Sequence, residues 1–298
     1  MALPQLLTWL NGALQAVLPT QVGGAGQAGN VVALNAAGFV DPSMLTLAID
    51  GGDARAVFLS SQVADGGNAA SVYAADAYSQ MVLGDGPVAF WPLDETSGTV
   101  ANDLSGNGYN GTYTGGFTLG LPGIPAGGTG AKFDGTTGYV VAPLVTTAVA
   151  SFTLEAWVNF DGATALHGPF VENGDQGSGY SMGCGSGTYD TAGNDFLSLY
   201  EVKSWNLPST TTPIPTSGWH HCVIVVGANP ATTYYLDGAE IGTNANNVVL
   251  APAGNTYLAT DYLNEADRYF GGILSNCAIY NKVLTAAQIL NHYNAGIS

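Results

Sequence analysis

The chain has 298 residues, 46% of them hydrophobic, which is enough for one large β domain and an accessory region. Only 9% are charged and 42 are glycine, the composition of a turn-rich β protein with a polar but uncharged surface. The net charge is −17, and the five bases Arg55, Lys132, Lys203, Arg268 and Lys282 are scattered, which argues against nucleic-acid binding and against anionic membrane surfaces.

At the N-terminus, Leu3, Leu7, Leu10, Leu14 and Val17 alternate at spacings of four and three residues, a heptad seam that Pro19 ends. The spacing predicts an amphipathic helix over 1–22. It either docks on a partner, seeds a small bundle or folds onto its own domain. The apolar run lacks a basic flank and a clear cleavage site, so it does not read as a signal peptide. With the odd cysteine count (Cys184, Cys222, Cys277), this suggests synthesis in a reducing compartment, with buried thiols acting as small hydrophobes. No apolar run is long enough for a transmembrane helix.

Residues 23–85 form the second region. Gly23 to Asn30 is a flexible linker by composition. Asn30 to Leu45 reads as two short strands around Ala37-Gly38, the second ended by Asp41-Pro42. This segment, with its Val-Ala-Leu-Asn, Gly and Asp-Pro-Ser-Met-Leu, resembles one found in many bacteriophage tail-fibre and other virion proteins, where it joins an attachment region to a surface domain. The resemblance implies attachment to other virion proteins and a homo-oligomer, with a trimer preferred. Tyr73 to Leu83 suggests a short helix leading into the next region.

From Val88 onward, short β segments alternate with Gly, Asn and Thr turns. Phe152, Leu154, Ala156 and Val158 fall on one face of a strand, and Thr153, Glu155, Trp157 and Asn159 on the other. Trp157 implies that the second face is covered too. Cys222 to Val226 reads as a strand buried on both faces. Thr233 to Gly242 reads as a hairpin about Asp237-Gly238. Phe270 to Tyr280 is a late strand, and Thr285 caps a short C-terminal helix.

Five motifs recur in order: Phe90-Trp91-Pro92-Leu93-Asp94-Glu95, Lys132-Phe133-Asp134-Gly135, Ser151 to Val158, Gly218-Trp219-His220 and Tyr235-Leu236-Asp237-Gly238. Together they resemble the laminin-G/pentraxin-like group of concanavalin A-like domains. The resemblance implies a mainly β fold, an antiparallel β-sandwich jelly roll over 86–298, following a short, partly helical N-terminal attachment region.

The residues that carry chemistry are few. His220 and His221 are adjacent on a strand, point to opposite faces, and read as structural. The Glu-x-Asp-x-x-Glu strand of related β-glucan hydrolases has its nearest counterpart at Glu265 to Phe270, where Phe270 stands in place of the final Glu and the carboxylate pair is missing. No enzymatic activity and no cofactor are expected. Relatives often bind calcium, and Asp94, Asp103 and Asp134 are available to it or to turn and cap roles. Ser275 and Asn276 stand where the late strand of those relatives carries acids. A glycan site is expected in the loop from Gly183 to Pro208, where Tyr189, Asn194, Asp195 and Trp205, with Tyr200, offer stacking rings and hydroxyl partners. The leading expectation is a non-enzymatic bacteriophage virion protein, a fibre, tail or capsid-surface component. It would be exposed on the particle and display a lectin-like domain toward host-surface polysaccharide. The alternatives are a bacterial surface or secreted carbohydrate-binding module and, behind it, a polysaccharide hydrolase.

Overall fold

The computed structural model describes residues 9–10, 13–14, 76–146, 151–160, 168–175, 178–184, 197–201, 204–206, 213–215, 217–227, 232–245, 251–262 and 268–298. The chain divides into two units, Met1–Tyr73 and Ala74–Ser298.

In the first unit, β1 (Trp9–Leu10) and β2 (Ala13–Leu14) pair antiparallel, Trp9 opposite Leu14 and Leu10 opposite Ala13. The helix expected over 1–22 is corrected at these four residues, which are extended. The reason stands in the sequence between them. Asn11-Gly12 is the dipeptide best suited to a two-residue hairpin turn, and glycine inside a helix costs about 1 kcal/mol. The remainder of 1–22, the Gly-rich linker and the segment 30–45 lie outside the described residues.

The second unit opens with α1 (Ala77–Gly84), capped by Asp76, whose side chain accepts from the Ser79 amide. Then follow β3 (Ala89–Trp91), β4 (Val100–Ala101), β5 (Gly111–Thr114), β6 (Phe117–Pro122), β7 (Thr129–Asp134) and β8 (Tyr139–Pro143). The middle of the chain gives β9 (Phe152–Asn159), β10 (Pro169–Asp175), β11 (Ser178–Cys184), β12 (Leu197–Glu201) and β13 (Ser204–Asn206). The last stretch gives β14 (His220–Val226), β15 (Thr232–Leu236), β16 (Ala239–Asn244), β17 (Asn255–Leu258), β18 (Gly271–Tyr280) and α2 (Ala286–Gly296).

The strands build two antiparallel sheets. The first runs β16-β15-β14-β9-β18-β7-β6, with β3 also paired to β18; the second runs β13-β12-β11-β10-β17-β8-β5-β4. The long-range pairings β14-β9, β9-β18, β18-β7, β10-β17 and β17-β8 join hairpins distant in sequence, as in a jelly roll. Alternation decides the faces. Phe152, Leu154, Ala156 and Val158 of β9 meet Val140, Phe170, Met182, Leu199 and Leu258 of the other sheet in the inter-sheet core.

The other face of β9 carries Thr153, Glu155 and Trp157, all fully buried. Its cover is helical. As the alternation predicted, this second face is covered: Trp157 and Val225 pack with Tyr78 and Val82 of α1 and Ile289 of α2. Helix α1, which lies before residue 86, packs into this unit, and the compact unit spans Ala74–Ser298.

Local chemistry fixes the ends. Asp237 and Gly238 take φ of 52° and 76° between β15 and β16, as a two-residue turn of that hand requires. Thr285 and Gln288 form a capping box at the start of α2. At Ser275 and Asn276, β18 bulges against β9. Asn276 adopts φ 53° there, and its side chain donates to Ile124 O at 2.7 Å. The two residues standing at the acid positions of relatives thus tie the 124–125 turn to the sheet. All three cysteines are free and buried. No described helix is long and apolar enough to cross a membrane.

Candidate functional site

Two clusters of titratable groups lie on opposite outer faces of the sandwich. The first is enclosed beneath the helices. Glu155 accepts hydrogen bonds from the Tyr78 hydroxyl at 2.9 Å, the Tyr280 hydroxyl at 2.8 Å and His221 Nε2 at 2.8 Å. His292 Nδ1 lies 3.1 Å from both of its oxygens, while His292 Nε2 lies 3.0 Å from Asp85 Oδ2. Burial alone would raise the Glu155 pKa, but His292 and His221 outweigh it and hold the carboxyl below its ordinary range. Burial lowers His292, yet Glu155 and Asp85 more than reverse it, so this imidazole is held above its ordinary value. Tyr78 and Tyr280 are pushed well up, by burial first and by the Glu155 charge second. With Glu155, His221 and His292 at 0% exposure, the cluster has no surface to offer a substrate; it fastens α1 and α2 to the sheet. His220 instead bonds Asp237 at 2.8 Å, so the adjacent histidines go to separate partners.

The second cluster lies on the outer face of the other sheet, where neither helix packs. Antiparallel register places one residue per strand in a continuous row: Trp205, Tyr200, Ser181, Glu172, Tyr257, Val141, Thr112 and Val100. Met182, Val171, Leu258 and Val140, each next in sequence to a member of the row, fill the inter-sheet core, so Ser181, Glu172, Tyr257 and Val141 face outward. The row grades from exposed Val100 and Thr112, through half-buried Val141 and Tyr257, to buried Glu172 and Ser181. Beside it, Tyr139 approaches Tyr257 and Tyr269 with ring centroids 6.5 and 6.2 Å apart.

At the buried end, Glu172 Oε1 accepts from the Tyr262 amide at 3.0 Å. Asp261 is held by Arg268 Nη1 at 2.8 Å. Burial, and next the Asp261 charge, push the Glu172 carboxyl up to about 8 against the pull of the Tyr262 amide and Arg268. Glu172 is 5% and Asp261 4% exposed. The face therefore combines tyrosine rings with a protonatable carboxyl and an ion pair, a set suited to binding polyhydroxylated rings.

Of the residues expected to form a glycan site, Tyr189, Asn194 and Asp195 lie outside the described residues. Trp205 is placed by its backbone on β13, opposite Tyr200 and in line with Glu172. The sequence reading missed Glu172, Asp261 and Arg268. Asp103 accepts from the amides of Phe90, Ser105 and Tyr109. Asp134 accepts from those of Thr136, Thr137 and Gly138, which, against burial, hold its carboxyl low. Both carboxylates therefore organise turns. Asp94 is raised to about 6, by burial first and by Glu95 second. Among the described residues, no group of three or more His, Cys, Asp or Glu converges as metal ligands.

An antiparallel two-sheet jelly roll with one helix-covered face and one polar, aromatic face defines a lectin-like class of domain. The chain belongs to the concanavalin A-like lectin/glucanases superfamily, whose family model matches residues 134–290, just over half of the chain. Similar solved structures share the fold. Domain 4 of AbnA, a GH43 extracellular arabinanase of Geobacillus stearothermophilus solved with arabinotriose, superposes with a TM-score of 0.52 at 22% identity. That match covers 70% of this chain and 98% of the arabinanase domain. The binding domain of Paraclostridial Mosquitocidal Protein 1 gives 0.53 at 16%, over 72% of this chain and 53% of its own. The binding domain of botulinum neurotoxin DC, solved with SialylT, gives 0.51 at 16%, over 71% and 51%. No curated protein matches the chain.

Proposed function

We propose that the Ala74–Ser298 unit is a non-enzymatic glycan-binding domain, and that the outer face of the β13-to-β4 sheet holds the sugar. One observation carries this reading: Tyr139, Tyr257 and Tyr269 gather beside the Glu172 carboxyl and the Asp261–Arg268 pair on the face that neither helix packs against. Sugar rings stack on aromatic faces while their hydroxyls bond carboxyl and guanidinium groups. The complexes of the similar arabinanase domain with arabinotriose and of the neurotoxin domain with SialylT support it as analogies of fold.

The chain around this domain fits a bacteriophage virion structural protein, exposed on the particle as a fibre, tail or capsid-surface component and made in the host cytoplasm. The Asn30 to Leu45 segment supports attachment through the first unit, in a homo-oligomer for which we prefer a trimer. The acid surplus keeps such an assembly soluble. No cofactor enters this reading. Glu172 and Asp261 share a face, but Asp261 is spent on Arg268, so we assign the pair to binding rather than to hydrolysis.

The second reading is a bacterial surface or secreted carbohydrate-binding module, favoured by a fold match that covers 98% of the arabinanase domain. An electron-microscopy map of native particles, combined with binding of the full chain to a panel of immobilised polysaccharides, separates them. The virion reading expects the chain on the particle surface and retention on a host polysaccharide. A chain found on the bacterial envelope and in no particle would favour the second reading instead.

A further inference from the structure

We infer that the sheet-face site selects uncharged sugars, and that Ser181 and Glu172 are the residues that set this specificity by bonding adjacent hydroxyls of one ring lying against Tyr257. The inference rests on the glycan-binding reading above and adds the ligand class to it.

Three observations carry it. The first is the treatment of the cation. Among the described residues Arg268 is the one Lys or Arg at this face, since Lys132 is on β7 of the other sheet and Lys282 follows β18. Arg268 is bound to Asp261 at 2.8 Å, with side-chain exposures of 13% and 6%. A sugar carboxylate entering here would meet the Asp261 carboxylate, with the guanidinium already engaged by that acid. That juxtaposition disfavours the anion.

The second is Ser181. It is 1% exposed, its neighbours Tyr180 and Met182 point into the inter-sheet core, and it therefore faces the Glu172 side of β11. Its hydroxyl finds no hydrogen-bond partner among the described residues. A buried hydroxyl without a partner is uncommon, and a ligand hydroxyl would satisfy it. The third is Glu172, directly opposite Ser181 in register, with one oxygen taken by the Tyr262 amide. It is faced by Asp261 and Arg268 from the β17–β18 connection, by Asp175 of its own strand, and by Ser181 and Tyr257 of the adjacent strands. Raised to about 8, the carboxyl is mostly protonated at neutral pH and can both donate to and accept from sugar hydroxyls, as a carboxylate cannot.

The test is titration calorimetry of the full chain with two sets of probes at pH 7 and pH 9. The neutral set is arabino-, xylo-, cello- and galacto-oligosaccharides; the acidic set is sialyllactose and oligogalacturonides. We expect a neutral probe to bind at least about ten-fold tighter than any acidic one, a difference of about 1.4 kcal/mol. Ser181→Ala should weaken that probe by about ten-fold. Affinity should fall from pH 7 to pH 9 in the native chain, and this dependence should vanish in Glu172→Gln, with far-UV dichroism and melting confirming that both variants fold. Equal or tighter binding of an acidic probe overturns the selectivity while leaving the glycan-binding reading intact, as does an unchanged affinity in folded Ser181→Ala. Failure of both sets to bind overturns both.

Discussion

Tyr78 and Glu155, 77 residues apart, share a hydrogen bond of 2.9 Å between two side chains that are both fully buried. The same hydroxyl accepts from Trp157 Nε1 at 2.9 Å, so one tyrosine of α1 satisfies two buried groups of β9. Removing it leaves an indole donor short of a partner and the carboxylate short of a donor. Tyr78→Phe should therefore cost about 1–3 kcal/mol in denaturant melts. A fragment over 86–298, which loses Tyr78, Val82 and Asp85 together, should melt well below one over 74–298. Equal midpoints for the two fragments would show that α1 is an appendage.

Trp157 itself stacks on His221 at 4.8 Å and on Tyr293 at 5.9 Å, and is fully buried. Trp157→Ala should destabilise by about 3–5 kcal/mol through lost burial and a cavity between sheet and helices. A loss under about 1 kcal/mol would contradict the packing described.

Glu172 and Glu155 predict opposite responses to pH. Glu172 is raised from 4.5 to about 8, by burial first and by Asp261 second. The folded state thus holds an additional proton between those values, and stability falls as pH rises through that window. Glu172→Gln should remove the decline, gaining on the native chain by on the order of a few kcal/mol at pH 8–9 and little near pH 4.5. Thermal melts across that range check it; parallel curves for variant and native chain would refute it. Glu155, held low, works the other way: its contribution is present above its unfolded value of 4.5 and is lost as pH falls toward its folded value. His292, held high, contributes fully below 6.5 and less as pH rises through its folded value.

Much of this architecture was legible in the residues. Period-two alternation in 152–159 predicted both faces of β9, Asp237-Gly238 predicted the hairpin, and Thr285 predicted the helix cap. Alternation put Glu155 with Trp157, but not its partners: His221 and His292 stand 66 and 137 residues away. The site was illegible for the same reason. Ser181, Glu172 and Tyr257 meet only because β10 lies between β11 and β17, an order set by long-range strand pairing rather than by any local spacing. At the N-terminus, leucine spacing pointed to a helix while Asn11-Gly12 pointed to a hairpin, and the turn chemistry prevailed at Trp9–Leu10 and Ala13–Leu14.

Assembly is a separate prediction, motivated by the attachment-like segment and by the two-residue strands of the first unit, which are too short to be stable alone. Light scattering should find the full chain oligomeric, with a trimer preferred, and a 74–298 fragment monomeric. A monomeric full chain that also binds no virion component would remove the basis for the attachment reading.

The central claim is that sugar binds at the sheet face that neither helix covers. Calorimetry of the full chain with its best polysaccharide-derived oligosaccharide, repeated for Tyr257→Ala and for Leu290→Ala on the exposed surface of α2, tests it most directly. The account predicts saturable binding that Tyr257→Ala weakens at least about ten-fold, consistent with loss of a stacking contact worth about 1–2 kcal/mol, and that Leu290→Ala leaves unchanged. It also predicts no release of reducing ends. Binding insensitive to Tyr257 but lost in Leu290→Ala, or reducing ends released by native protein and abolished in Glu172→Gln, would contradict it.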